Sequence, residues 1–352
     1  MELNEIRRNI DKVDSEILKL LNQRMEFALR TKKMKKELVD ENREKELLER
    51  VKRSSSNLIK PAFGEKIFTE IMNESKKLQA ENPCLIGFQG EHGAYSEIAV
   101  KSYDKSAVAL PCREFSEVFD SVKNGALDLG VVPVENSIEG AVTAVNDLLV
   151  QTDLKIIAEI KIPIHHCLLA PHETDYRDIK TIYSHPQALA QCRGFISRNK
   201  LEARPFYDTA GAALMLSHER VTACAVIASK LCAEMYDLEI LKENIEDDLA
   251  NATRFLVLSR EKSVEKGDKC SILFTTKHKA GALFAVLKIF SESSVNLTRI
   301  ESRVIRNEGG KVVFMLDFEG SDSDGKIKEV IEKVKKETAS FKFLGCYKEA
   351  KL

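Results

Sequence analysis

Several features are missing from these 352 residues. No run approaches the roughly 18 consecutive apolar residues of a membrane-spanning helix, so no membrane partner is expected. The opening residues have no apolar core of a secretory signal, and a cytoplasmic location is expected. An excess of one charge is also missing: 54 Lys and Arg stand against 55 Asp and Glu, a net charge of −1. That balance gives no support to a nucleic-acid or membrane-surface role. Eight cysteines are present, but none forms a Cys-x-x-Cys pair. A chain this long does not need staples, so reduced thiols are expected rather than disulfides or a zinc site. His165-His166 has no acidic or cysteine ligand beside it, and no metal is expected. Hydrophobic residues at 43% and charged residues at 31% are ordinary for a globular protein of two or three domains.

What is present falls into three textures. Residues 1 to about 80 contain one proline and one glycine, Pro61 and Gly64. Apolar residues recur there as Leu3, Ile6, Ile10, Val13, Ile17, Leu20, Leu21 and Ala28. Steps of three and four mark an amphipathic helix. With no breaker, the first helix is predicted over 4–38, a second over 40–52 and a third over 61–79, with Pro61 well placed at a helix start. After Asn82-Pro83, short β-rich runs at 85–88, 129–132, 181–183 and 224–227 alternate with helical stretches at 116–124, 186–197 and 209–217. That alternation predicts parallel α/β sheets with ligands beyond the carboxyl ends of the strands. The polar stretch 263–269 reads as a linker. Beyond it come a strand from Cys270, a helix over 281–291, two strands around Gly309-Gly310, a helix over 326–337 and a strand at 341–344. This is βαββαβ, a ferredoxin-like α+β module. The expected domains are 1–82, 84–262 and 268–352.

In the first segment, cations stand where apolar residues belong. Arg24 falls inside the stripe, between Leu21 and Ala28. Lys35 follows eleven residues later, near the same face and about 16 Å along the axis. Ser75 and Gln79 are an i,i+4 pair on the third helix. Such cations either snorkel to solvent or await an anion. The set Arg7, Arg24, Lys35, Asp40, Arg43, Glu44, Ser75 and Gln79 resembles the α-helical chorismate mutases, over essentially all of residues 1–80. The resemblance implies binding of chorismate and its pericyclic rearrangement to prephenate, with no nucleophile and no cofactor. Such a site holds a dicarboxylate in a compact conformer and stabilises charge at the breaking ether bond. By resemblance, Arg7, Arg24 and Arg43 grip carboxylates, and Lys35 and Gln79 hydrogen-bond the ether oxygen. Asp40, Glu44 and Ser75 hold hydroxyl and backbone-side groups. Arg7 and Lys35 are 28 residues apart, about 42 Å on one straight helix. Both cannot touch one small ligand; if both are catalytic, Arg7 serves another subunit, and an intertwined homodimer, or a dimer of dimers, is expected.

The second segment carries polar loops after its strands. They are Gly87 to Ser96, Glu135-Asn136-Ser137, Ser184-His185-Pro186-Gln187 with Gln191-Cys192, Asp208-Thr209, and Asn251-Ala252-Thr253-Arg254-Phe255. Backbone amides at a helix start, as in the first loop, can take a carboxylate. Together these loops resemble prephenate dehydratases over roughly 84–260. The resemblance implies two α/β lobes around a cleft, like periplasmic binding proteins, closing on prephenate and excluding water. It places Glu135, Asn136, Ser137, Ser184, Gln187, Gln191, Thr209, Thr253, Arg254 and Phe255 at the substrate. Prephenate loses carbon dioxide and its ring hydroxyl to give phenylpyruvate. The protein must protonate the leaving hydroxyl and let the carboxylate depart into a less polar environment. By resemblance Thr253 is catalytic. An aliphatic hydroxyl is a weak acid, so Thr253 is expected to orient the leaving group while Glu135, if buried with a raised pKa, assists. Arg254 either pairs with a substrate carboxylate or braces the lobe.

In the third segment, Gly281-Ala282-Leu283 opens a helix after the first strand, and the second strand carries Asn296-Leu297-Thr298-Arg299-Ile300-Glu301-Ser302-Arg303. This resembles the amino-acid-binding ACT domains across 270–350, with Val304 where those usually have proline. The resemblance implies that Gly281, Ala282, Leu283, Asn296, Leu297, Glu301, Ser302 and Arg303 line a phenylalanine site between two paired modules. Feedback inhibition by phenylalanine as allosteric effector is the expectation. Competing expectations are a dehydratase whose helices only dimerise, a variant preferring arogenate, and a non-catalytic amino-acid-binding regulator.

Overall fold

The computed structural model describes residues 3–34, 40–55, 57–172, 174–219, 223–305 and 311–350. Three helices come first: α1 (Leu3–Met34), α2 (Glu41–Ser54) and α3 (Pro61–Glu81). The side chain of Asp40 caps α2 by accepting from the Arg43 N–H at 3.0 Å, satisfying a donor the helix start leaves open. Over its 32 residues α1 is unbroken, about 48 Å long. Its first half presents Leu3, Ile6, Ile10, Val13 and Ile17 to solvent, each more than 40% exposed, whereas Leu29 is buried. The loop glycines 309 and 310 and Lys35 lie outside the described residues.

The second segment folds into two lobes. The first contains β1 (Leu85–Gln89), α4 (Tyr95–Tyr103), β2 (Val108–Cys112), α5 (Phe115–Lys123), β3 (Leu129–Asn136), β4 (Gly140–Ala141), α6 (Thr143–Gln151) and β5 (Lys155–Pro163). The second contains β6 (Cys167–Ala170), β7 (Thr181–Ser184), α7 (Pro186–Gln191), α8 (Arg193–Arg198), β8 (Glu202–Pro205), α9 (Thr209–Glu219), β9 (Cys224–Ala228), α10 (Lys230–Tyr236) and β10 (Glu239–Lys242). The chain then returns to the first lobe as β11 (Ala252–Ser259). The sheets run β2-β1-β3-β11-β5, with β4 beside β3, and β10-β6-β9-β7-β8. They are mixed, not parallel as predicted. β11 enters antiparallel to both β3 and β5, because it arrives from the other lobe rather than through a crossover helix. The helix expected over 186–197 breaks at Cys192 into α7 and α8.

The last segment is β12 (Lys269–Thr275), α11 (Ala282–Glu292), β13 (Leu297–Ile305), β14 (Lys311–Glu319), α12 (Gly325–Glu337) and β15 (Ser340–Tyr347). Its sheet order is β13-β14-β12-β15. One sheet face packs on the first lobe. Leu273, Met315, Leu344 and Tyr347 belong to the same buried cluster as Leu85, Val132, Leu256 and Leu258. Contact is close enough that a Cβ on Gly345 would lie 2.1 Å from the Ile156 carbonyl oxygen. Lys269, placed in a linker by its polarity, instead opens β12 and is buried, 3.0 Å from Glu159 and 3.2 Å from Glu349. Hydropathy alone does not reveal that its charge has partners. Among the described residues, no helix is long and apolar enough to cross a membrane.

Candidate functional site

The centre of the two-lobed segment is a β-bulge. Along β3 and β11, Thr253 pairs with Asn136 and Arg254 with Glu135, but Phe255 pairs with Pro133. Val134 is the extra residue. A bulge inverts the in–out alternation of the strand beyond it. Asn136 therefore lands on the Thr253 side of the sheet and Glu135 on the Arg254 side.

The Asn136 amide donates to the Thr253 hydroxyl at 3.0 Å and to Asn251 Oδ1 at 2.7 Å. Its own Oδ1 accepts the Ile138 and Glu139 N–H groups, both at 3.0 Å. Asn136 is thus held from both ends. With a lone pair occupied by Asn136, the Thr253 hydroxyl is free to donate elsewhere. Asn251 is buried and its amide nitrogen has no partner among the described residues. Ser137 closes the loop by exchanging bonds with Ala252, its hydroxyl accepting the Ala252 N–H at 3.0 Å.

The lobes meet around this point. From the first lobe, Tyr95 donates its hydroxyl to the His165 carbonyl at 2.6 Å and lies 3.1 Å from His166 Nδ1. His166 Nε2 lies 2.9 Å from Gln191, which is thereby aimed at the seam. Burial lowers the His166 imidazole from its ordinary value, favouring the neutral ring. Glu246 is buried and bonds both His165 Nδ1, at 2.7 Å, and the His166 N–H, at 2.8 Å. The Ser229 hydroxyl donates to the Gly93 carbonyl at 2.6 Å, tying the glycine loop to the second lobe. Asp208 sits behind that loop and caps α9 through the Gly211 N–H at 2.7 Å, with Thr209 half-buried beside it. Gln187 is exposed at the start of α7. Two expected ligands are occupied elsewhere. Ser184 is buried with its hydroxyl on the Ile227 carbonyl at 2.6 Å, and Phe255 is buried in the apolar cluster of the first lobe.

Behind the sheet lies a charged cluster. The Arg254 guanidinium is 2.5 Å from Asp317 on β14, 3.1 Å from Glu159 and 3.6 Å from Glu135. Burial opposes its charge, but Asp317, Tyr347, Glu159 and Glu135 outweigh burial and raise the group above its ordinary value. Of the two roles open to Arg254, its geometry fits the brace. Glu135 also meets Arg299 of β13 at 3.0 Å, and its side chain is 38% exposed. The burial on which its assisting role was conditional is not met: two cations hold its carboxylate on the side away from Thr253. Asp317 further accepts the Ser271 hydroxyl at 2.5 Å, and Ser271 reaches Tyr347 at 2.6 Å. Arg299, Asp317, Glu159, Asn146 and Asn251 went unassigned from sequence. A lone carboxylate in the apolar runs Ile156-Ile157-Ala158-Glu159-Ile160 and Phe314-Met315-Leu316-Asp317-Phe318 was the available signal, because a buried charge demands a partner.

In the helical segment, Arg24 donates to the Ser75 hydroxyl at 2.6 Å, and Gln79 donates to the Ala28 carbonyl at 2.5 Å. Ser75 and Gln79 are buried. Burial lowers Arg24 from its ordinary value. Its partner, the Ser75 hydroxyl, is neutral, so this cation has room for an anion. Glu44 pairs with Lys76 at 3.2 Å, and Arg43 turns to Glu46 at 3.3 Å on the exposed face. Arg7 is exposed, 17 residues and about 26 Å from Arg24 along α1. One chain therefore gathers Arg24, Ser75 and Gln79, with Glu44 nearby, and leaves Arg7 apart.

In the last segment, Gly281 caps α11 in the left-handed region at φ +77°, which suits glycine. Register sets Thr275 level with Val313 and Arg303, and Cys270 level with Phe318 and Leu297. The turn leading to Gly281, Ala282 and Leu283 thus leaves one end of the sheet, and Asn296 and Leu297 occupy the other. Asn296 donates to Glu319 at 2.8 Å, and Ser302 is exposed beside half-buried Glu301. Arg303 points to Asp147 of α6 at 3.0 Å instead of toward the turn.

Family models match three stretches: chorismate mutase type II over 6–80, prephenate dehydratase over 86–263 and ACT domain over 271–336. A bifunctional chorismate mutase/prephenate dehydratase of Aquifex aeolicus is 35% identical over 362 residues, spanning 100% of this chain and 99% of that protein. Among solved structures, a prephenate dehydratase in complex with L-Phe from Arthrobacter aurescens is 30% identical with a TM-score of 0.70, covering 75% of this chain and 90% of that one. A structure described as GqqA, a quorum quenching acylase, is 32% identical with a TM-score of 0.70, covering 75% and 97%.

Proposed function

The chain belongs to the family of bifunctional chorismate mutase/prephenate dehydratases, and from that membership we propose that it converts chorismate to prephenate and prephenate to phenylpyruvate, restrained by phenylalanine. The observation that carries the reading is the occurrence of the three family stretches in order on one chain with Asn136 bonded to Thr253 at the meeting of the lobes. We assign the domains as 1–82, 84–262 and 268–352.

In the mutase step, Arg24 attracts a carboxylate, and Gln79 turns from the Ala28 carbonyl to the ether oxygen. Ser75 fixes Arg24 for this task. The step is a concerted electron shift, so positioning and charge stabilisation are all the residues must supply. The stripe from Leu3 to Ile17 would bury itself against a second copy, which would bring the partner's α1 start over this site and deliver an arginine equivalent to Arg7. The protein is thus read as a homodimer.

In the dehydratase step, the ring C–O bond breaks as the carboxylate leaves as carbon dioxide, and the electron pair of the C–C bond completes the aromatic ring. The departing hydroxide takes a proton and leaves as water. Thr253, oriented by Asn136, donates a hydrogen bond to that oxygen. Asn251 and Gln191 are placed to hold the remaining polar groups, and the Tyr95–His166–Gln191 chain ties closure of the lobes to the site. Phenylalanine binds where the Gly281 turn of one module meets the Asn296–Ser302 strand of another.

Supplying purified protein with chorismate and following chorismate loss and phenylpyruvate formation, with and without millimolar phenylalanine, tests all three assignments. Consumption of chorismate with phenylpyruvate formed, and suppressed by phenylalanine, is expected. Phenylpyruvate formed only from added prephenate would reduce the helices to a dimerisation unit.

A further inference from the structure

We propose that Arg299, on strand β13 of the C-terminal module, is a positioning residue for the dehydratase reaction, because it holds the β3 bulge that sets Asn136 beside Thr253. The inference deepens the dehydratase reading and rests on it. Arg299 comes from the regulatory module, yet its side chain is only 8% exposed and it contacts Glu135 and Asn146 of the first lobe. Its Nε lies 3.0 Å from Glu135 Oε2. Its Nη2 donates to Asn146 Oδ1 at 3.1 Å. Asn146 is fully buried, and its amide donates to the Val134 carbonyl at 3.3 Å and to the Val142 carbonyl at 3.1 Å. One guanidinium thus grips residue 135 directly and residue 134 through one intermediate.

Those two residues are the bulge. An extra residue leaves the ladder locally disrupted, so a bulge needs bonds from outside the sheet to stay where it is. A slip of one residue would place Glu135 beside Thr253 and turn Asn136 away, since side chains alternate. The catalytic hydroxyl would then lose the donor that directs it. Two acceptors in different directions suit the planar fork of arginine better than the single point of a lysine ammonium.

The same strand faces two ways. Arg299 and Arg303 point into the lobe, and Arg303 holds Asp147 of α6 at 3.0 Å, one residue from Asn146. Thr298, Ile300, Ser302 and Val304 point outward. A rearrangement of β13 on binding an amino acid is therefore passed to β3 and α6 by Arg299 and Arg303, with Arg254–Asp317 as a second tie across the boundary.

The test uses the full-length chain, Arg299→Met, Arg299→Lys, Glu135→Gln and the Arg299→Met/Glu135→Gln double variant. Dehydratase kcat and KM are measured on prephenate, with mutase turnover on the same preparations as a control for folding. Arg299→Met is expected to lower dehydratase kcat about tenfold, the scale of a lost charged hydrogen bond, with KM and mutase turnover within about twofold. Arg299→Lys is expected to recover part of that loss, and Arg299→Met to cost little more in the Glu135→Gln background. A kcat for Arg299→Met within about twofold of wild type, or losses that add in full in the double variant, would overturn the proposal. Should the wild type form no phenylpyruvate, the dehydratase reading itself fails. The positioning contact is then judged by thermal unfolding of the same four proteins with the wild type: losses in Tm smaller in the double variant than the sum of the singles support it, and additive losses reject it.

Discussion

The helical segment and the boundary between dehydratase lobe and ACT module use charge in opposite ways. In the first, Arg7 and Arg43 lie on exposed helix surface and Arg24 is half-buried against the Ser75 hydroxyl, with an apolar stripe uncovered along α1. In the second, Arg254, Lys269, Asp317 and Glu159 are buried and mutually paired within one chain. The first arrangement sets Arg24 against a neutral hydroxyl and leaves the stripe facing solvent, the features on which the homodimer proposed above rests. The second spends its cations on internal carboxylates, which fixes two domains at a defined spacing. Arg254 is neutralised within the fold, whereas the partner of Arg24 is a neutral hydroxyl.

Removing one member of the buried set should have the largest effect. Arg254→Met leaves Asp317 and Glu159 facing one another without their guanidinium, and breaking such a pair costs about 3–5 kcal/mol. A large fall in the unfolding midpoint is expected, and a midpoint unchanged from wild type would show that the boundary does not depend on this pair. Next is Thr253→Ala, which removes the hydroxyl proposed above as the donor to the leaving oxygen. Dehydratase kcat should fall about 10²–10³-fold with chorismate consumption untouched, because the two chemistries sit on separate elements. Loss of both activities would contradict that separation. Third is Ile17→Asp on the uncovered stripe. Sedimentation should show weakened self-association, and mutase turnover should drop about tenfold or more while dehydratase kcat is retained. An unaltered sedimentation profile would mean that the stripe is not an interface.

The smallest effect concerns the joint between helices and lobe. His92 of the glycine loop lies 2.9 Å from Glu26 on α1 and 3.1 Å from Glu97. Burial would lower this imidazole, but the hydrogen bonds and charges of Glu26 and Glu97 overcome it and push the group up to about 9. A group raised above its unfolded value near 6.5 stabilises the fold fully below that pH, and the contribution fades as pH rises through about 9. His92→Gln should therefore reduce stability by about 1 kcal/mol at pH 6, with the difference from wild type vanishing above pH 9. A difference that is constant between pH 6 and pH 10 would show that the ion pair plays no part.

Much of this was legible in the residues because local rules govern it. The spacing of Leu3, Ile6 and Ile10 produces α1, Asp40 caps α2, and Pro61 opens α3. Glu135-Asn136-Ser137 and Thr253-Arg254-Phe255, read as polar loops, fall at the end of β3 and within β11. Their relative aim was not legible. Whether Glu135 or Asn136 stands beside Thr253 depends on Val134 being one residue too many against β11, a mismatch between strands that neither strand contains alone. Lys269 was likewise placed in a polar linker and Arg299 was given no role, since burial of a charge depends on a partner distant in sequence.

The sequence by itself determined the elements, their order and the inventory of chemical groups, because propensity, periodicity and capping act over a few residues. Tertiary structure alone decided which groups remain free to act. It turned Arg254 into a brace, set Glu135 between two cations and left Thr253 with a hydroxyl to donate. The reason is physical: hydrogen-bonding capacity and charge are exhausted by whatever lies within about 3 Å, and only the folded chain brings distant residues that close.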